Sequence, residues 1–180
     1  MQRLACLLIV GIAAACGGGT ESGPATLTGV MPPGKSVGAR VFGGPDGNGT
    51  RVLGWKLEFF EQGPGADCLS SETTVVAQIA IFTNTPDDGT RDQAILAIGD
   101  IPIVATNPPP VAGQAAAFMS GKGVVVQSGL VTISEFHLLP DAMHTDRIKG
   151  TVIAGGMDGG TGADIAINGE FTAPYCPEED

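Results

Sequence analysis

From Ala25 onward the chain is interrupted about every 8 to 15 residues, where runs rich in Val, Ile, Thr and Phe give way to clusters of Gly, Pro, Asn and Asp. Such a rhythm is that of an all-β fold. Each run is long enough for one strand, and each cluster supplies the fixed or positive φ that a tight turn needs. No window of about ten residues or more carries a helical period. Gly 28 and Pro 13 in 180 residues approach the level of low-complexity disorder, but 43% hydrophobic residues suffice to build a core. A chain of this length suits one domain, not separate cofactor and substrate lobes.

The clearest strand is Val52 to Phe60, with Leu53, Trp55, Leu57 and Phe59 on one face and Gly54, Lys56 and Glu58 on the other. Thr74 to Thr83 is apolar on both faces, Val75, Ala77, Ile79 and Ile81 against Val76, Ala80 and Phe82, which predicts a central strand. Further strands are predicted at Val37 to Phe42, Gln93 to Ile98, Ile101 to Thr106, Val124 to Gln127, Leu130 to Leu138, Arg147 to Ile153 and Asp164 to Ala173. Turns are predicted at Gly44 to Gly49, Pro86 to Gly89 and Gly155 to Gly162. Asn168-Gly169 is a strong hairpin signal in isolation. However, Ile165, Ile167, Phe171 and Ala173 keep one parity through it, which favours a single strand with a glycine in its middle. Val111 to Met119, alanine-rich after Pro108-Pro109-Pro110, reads as one or two helical turns or as another strand. Because a parallel sheet needs crossover helices, the expected fold is a single antiparallel β-sandwich of about eight to nine strands, with at most one short helix.

The start of the chain reads differently. Met1 to Cys16 has one positive charge at Arg3, an apolar stretch from Leu4 to Ala15 and three alanines before the cysteine. That stretch is shorter than the roughly 20 residues a membrane span needs, and predicts a cleaved secretory leader over residues 1–15. Ala13-Ala14-Ala15-Cys16 followed by Gly17-Gly18-Gly19-Thr20 resembles the lipobox of bacterial lipoproteins, in which small residues precede a cysteine that becomes lipidated and N-terminal. The motif departs from that family at Ala13, where leucine is usual, and the same alanines also satisfy the rule for ordinary signal cleavage. The resemblance implies acyl chains on Cys16 that hold the protein to the bilayer. Residues 16–24 are then a flexible Gly-rich tether, 25–176 the folded domain and 177–180 a short acidic tail. Gly17 after the cysteine is not the aspartate that retains some lipoproteins at the inner membrane, which points to the outer membrane.

Removing the leader takes Cys6 with it and leaves three cysteines, an odd number that lipidation of Cys16 explains. Cys68 and Cys176 then form the expected disulfide, and closing a loop of about 100 residues is worth up to about 4.7 kcal/mol in the chain-entropy model. Plain secretion with a spare thiol is the alternative. The runs Ser128 to Ile133, Ile148 to Val152 and Asn168 to Cys176, the last reading G-x-F-x-A before a closing cysteine, resemble the end of uncharacterised bacterial envelope lipoproteins. That resemblance covers about the last fifty residues and implies a β-sandwich with a terminal disulfide, without an established activity.

Motifs for chemistry are sparse. There is no G-x-S-x-G, S-x-x-K or H-E-x-x-H, and Ser120-Gly121-Lys122 has Ala116 where a phosphate loop requires glycine. His137, Asp141, His144 and Asp146 place both histidines of the protein beside two carboxylates, a donor set that suits Zn²⁺ or a similar divalent ion. Pro140 keeps them off a helix face, and the plainer reading is a polar hairpin loop. Asp46, Asn48 and Thr50 echo the start of a calcium loop, but Leu57 stands where its closing glutamate belongs. Asp87, Asp88 and Asp92, and Gly155 to Gly160, are further acidic or glycine-rich turns. Aromatic residues are too few to predict a sugar-stacking platform. The net charge of -10 argues against nucleic acid and anionic lipid as electrostatic partners and favours cationic groups or divalent metals. The expected function is a lipid-anchored cell-envelope protein with a non-catalytic binding or structural domain that needs no cofactor, its partner an envelope protein or small ligand. The alternatives are a small metal-dependent hydrolase and a soluble secreted ligand-binding protein.

Overall fold

A computed structural model of the protein describes residues 21–30, 32–65, 74–88, 94–119, 124–138 and 145–176. Its strands are β1 (Gly23–Thr28), β2 (Gly34–Pro45), β3 (Arg51–Phe60), β4 (Val75–Pro86), β5 (Gly99–Val104), β6 (Ala115–Met119), β7 (Val125–Leu138), β8 (Thr145–Met157) and β9 (Asp164–Ala173). The fold is all-β, and the described residues contain no helix. It is not a sandwich. The strands form one closed barrel in the order β1, β2, β3, β4, β6, β5, β7, β8, β9, and β9 returns to β1 through Ala25 to Phe171, Thr26 to Glu170, Leu27 to Gly169 and Thr28 to Asn168. Closure removes the two edges that a sandwich sheet would leave open to other chains.

Among the described residues the ladders between strands are antiparallel except where β5 meets β6 through Ile103 and Ala115, and beyond β9 Tyr175 makes an isolated parallel bridge to Ala39. Register shifts in β7 at Val126/Ser128, Ile133/Glu135 and His137/Leu138 let a strand of 14 residues bend around the wall. The two segments predicted around Gly129 are therefore one strand. Asp164–Ala173 is likewise a single strand with Gly169 inside it, as parity indicates. Val111 to Met119 supplies β6, a five-residue strand, because its alanines lie flat against β4, pairing with Ala77 to Ile81. β1 starts at Gly23, so the last two residues assigned to the tether belong to the barrel.

Inward positions are mostly apolar: Leu27, Val37, Leu53, Trp55, Leu57, Phe59, Ile81, Ile103, Val131, Ile133 and Ile148 are all fully buried, and the buried Thr83 hydroxyl on the same face of β4 donates to the Leu53 carbonyl at 2.8 Å. Trp55 stands edge-on to Phe136 and Tyr175 at centroid distances of 5.7 and 6.0 Å, and Phe59 meets Phe171 at 5.8 Å. Such edge-to-face pairs add about 0.5–1.5 kcal/mol each beyond area burial. The segment predicted as a strand at Gln93 to Ile98 makes no ladder over its described residues, 94–98. Ala94 and Leu96 are buried in the core, and the Trp55 indole donates to the Ala94 carbonyl at 2.8 Å. Alternation there serves to insert side chains into the barrel, not to build its wall.

The outer surface is covered where β2, β3 and β4 adjoin. Gly54 pairs with Phe42 and Phe82, whose rings meet edge-on at 5.4 Å over the bare glycine. Glu58, also outward, is buried beneath Arg40 (2.8 Å), Lys56 (3.2 Å) and the Gln78 amide (3.1 Å). A barrel that spans a bilayer carries an apolar band there, with polar groups inside; this wall has charge outside and hydrocarbon inside.

Candidate functional site

His137 lies near the end of β7 and points outward, 57% exposed. Its Nε2 is 3.0 Å from Glu135 Oε1, the same oxygen that accepts from Arg147 Nε at 2.8 Å, while Lys149 Nζ sits 2.7 Å from Glu135 Oε2. These four residues meet because Glu135 pairs with Lys149 and His137 with Arg147 across the β7 and β8 ladder. Hydrogen bonds from Lys149 first and Arg147 second hold the Glu135 carboxyl down at about 2. Two fixed positive charges on one carboxylate make this a poor place for a metal cation. Of the other predicted ligands, Asp141 and His144 lie outside the described residues, and Asp146 lies in β8 with its side chain outside them. Among the described residues no three His, Cys, Asp or Glu side chains are grouped to hold a metal.

The acidic turns act as turns. Asp46 is buried, and its Oδ1 accepts from the amides of Asn48 and Thr50, both at 2.9 Å. Its Oδ2 accepts from the Ala112 amide at 3.3 Å, which ties the β2 to β3 hairpin to the segment before β6. Asp87 accepts from Arg51 at 2.6 Å. Asp158 caps the turn after β8 by accepting from the amides of Gly160 and Thr161 at 2.8 and 3.1 Å. The Asp46 and Asp158 carboxylates satisfy N–H donors that a tight turn leaves over, whereas Asp87 pairs with the Arg51 guanidinium. Asp88 is described but enters none of these turn bonds, and Asp92 lies outside the described residues.

The surface feature absent from the sequence reading is a shallow trough on the outer wall of β1, β9 and β8. Two depressions of about 420 and 410 Å³ share Thr26, Thr151 and Glu170. One extends to Ser134, Lys149 and Thr172, the other to Thr28, Ile153 and Asn168. Short side chains make the hollow, and inward glycines deepen it. Gly150 and Gly169 let the backbone of β8 and β9 sink until the Phe171 ring and the β1 backbone occupy the places a Cβ would take. No local pattern announces this site, since its lining is shared among β1, β8 and β9, with Ser134 from β7.

Cys16 and Cys68 lie outside the described residues. Cys176 follows β9, buried against Phe60 and Val75.

Fold and surface together define a class: a closed barrel, of nine strands among the described residues, with a largely hydrocarbon interior and a hydroxyl-lined trough on its outer wall. Comparison with protein-family models, curated proteins and solved structures gives no match for this chain.

Proposed function

We propose that this is a lipid-anchored protein of the bacterial cell envelope, held at the outer membrane by acyl chains on Cys16, whose barrel binds or scaffolds without catalysis. The reading rests on the lipobox-like start, which is the only membrane-directed signal in the sequence, and on the character of the barrel. The described part of its interior is packed with Trp55, Phe59, Phe171 and aliphatic side chains, which supports a ligand meeting the outer wall. The one described histidine is engaged with Glu135, and Asp46, Asp87 and Glu58 are engaged by backbone or cationic donors. In the same reading Cys68 pairs with Cys176 and fastens the end of β9 to the loop that follows β3.

The test is intact mass and fractionation of the wild type and of Cys16→Ala. Wild type in the membrane fraction with acyl mass on a chain that begins at Cys16, and release of Cys16→Ala, is the expected result. An unmodified thiol, a retained leader or a soluble wild type overturns the anchor and leaves a secreted binding protein in its place.

A further inference from the structure

The trough has a chemistry that narrows its occupant. Its central row runs across the wall from Thr26 through Glu170 and Thr151, and continues through Thr132 to Asp100, each neighbour paired in register. Thr132 donates to Asp100 at 2.6 Å. The next row is Thr28, Asn168, Ile153 and Leu130, again in register, with Ile153 63% and Leu130 43% exposed. β1, β9 and β8 are each paired on both sides, so their backbone groups are taken up in ladders and no peptide can add itself here as a strand. Recognition has to run through side chains.

The polar ones are hydroxyls, the Asn168 amide and the carboxylates of Glu170 and Asp100, with Lys149, paired to Glu135, at one end of the trough, and between them they donate and accept at closely spaced points. Neighbours across strands stand about 4.8 Å apart, and neighbours along a strand about 7 Å apart. That grid is of the order of the spacing between hydroxyls on a chain of pyranose rings. Ile153 and Leu130 at one end offer aliphatic surface for the C–H face of such a ring, a role that does not need the aromatic platform the sequence lacks. Glu170 at the centre and the net charge of -10 disfavour an anionic chain.

We propose that this trough binds an uncharged oligosaccharide. The inference rests on the reading of the barrel as an envelope binding module and names its site and ligand class. The test is calorimetric titration of the full-chain protein, purified from whichever fraction holds it, with tetramers of N-acetylglucosamine and of glucose, and with pentalysine as the competing cationic occupant. The expected result is a dissociation constant of about 1 mM or tighter for a tetrasaccharide. Thr151→Val and Glu170→Gln should each weaken it about fivefold or more at unchanged melting temperature, and Thr106→Val, outside the trough, should leave it unaltered. The proposal is overturned if neither sugar binds, if the trough variants bind as the wild type does, or if pentalysine binds in their place and Glu170→Gln abolishes it. Fractionation separates the two readings. A membrane-bound protein that ignores both sugars sinks the trough and leaves the anchor, whereas a soluble, acyl-free protein that binds them sinks the anchor and leaves the trough.

Discussion

Replacing Gly150 by alanine should disrupt the barrel wall where β7, β8 and β9 crowd together. Gly150 faces inward on β8, between Ile133 of β7 and Phe171 of β9. A methyl there would lie 2.2 Å from the Thr132 carbonyl oxygen and 2.8 Å from Phe171 Cζ. Comfortable carbon contacts are about 3.5–4.0 Å, so the backbone of β7 must retreat by more than about 1 Å and the ring must move as well. The ring has nowhere to go, being buried edge-on against Phe59 at 5.8 Å. Overpacking costs about 1–3 kcal/mol, and one or two strained ladder bonds add about 0.5–1.5 kcal/mol each. Against this, removing a glycine from a strand gains about 0.5–1 kcal/mol. The net expectation is a loss of about 2–4 kcal/mol. Gly155→Ala is the control on the same strand: its nearest neighbour would be Ser128 Oγ at 3.8 Å, so only the gain of about 0.5–1 kcal/mol remains. Urea unfolding followed by the fluorescence of Trp55, the one tryptophan in the chain, reads both changes as a shift in midpoint at constant slope. The steric argument fails if Gly150→Ala stays within about 0.5 kcal/mol of the wild type, or if Gly155→Ala loses as much as Gly150→Ala.

Trp55→Phe leaves the Ala94 carbonyl without its donor and opens space between Phe136 and Tyr175. A loss of about 2–4 kcal/mol is expected by circular dichroism, with faster amide exchange confined first to residues 94–98. Because the Glu135 carboxyl is held at about 2, below its ordinary 4.5, its ion pairs contribute fully above about 4.5 and are lost as pH falls from there through 2. Carboxyl NMR titration should place Glu135 near 2 and show Lys149→Met raising it, and a wild-type value near 4.5 would refute the pairing. If Cys176 pairs with Cys68 as proposed, Cys176→Ser should cost up to about 4 kcal/mol more under oxidising than under reducing conditions, where only the smaller cost of burying a hydroxyl against Phe60 and Val75 remains, read from paired denaturation curves.

Strands were legible from Val52–Phe60 and Asp164–Ala173 because alternation is local: each residue's parity is printed in the chain. Closure was not. A sandwich and a barrel share the same inward parity in every strand and differ in whether the first strand finds the last. Here that is decided by Thr26 meeting Glu170, a pairing with 140-odd residues between its partners and no local mark. β1 is six residues beginning with Gly23-Pro24, and composition there speaks for a tether. The segment at 94–98 misleads for the opposite reason: Ala94 and Leu96 alternate with Ile95 and Ala97 as a strand would, yet the two inward side chains fill one part of the core, and Ile98, which shares their parity, is exposed.

The same distinction between local and assembled features governs the candidate sites. Reading a sequence for chemistry favours residues close together along the chain, which is how His137, Asp141, His144 and Asp146 came to stand out. Folding set His137 against Glu135, two residues before it in β7, and brought Arg147 and Lys149 of β8 onto the same carboxylate, so neighbours across the ladder decide the charge around it. A barrel wall composes its outer surface one residue per strand. Thr26, Asp100, Thr132, Thr151 and Glu170 are unremarkable in their own segments, each an ordinary polar residue at an outward position. Placed side by side at strand spacing they become a continuous hydrogen-bonding row, and only closure of β9 onto β1 puts Thr26 at its end. A change that opened the β1 to β9 seam while leaving β2 to β8 intact would therefore remove the trough before it unfolded the core.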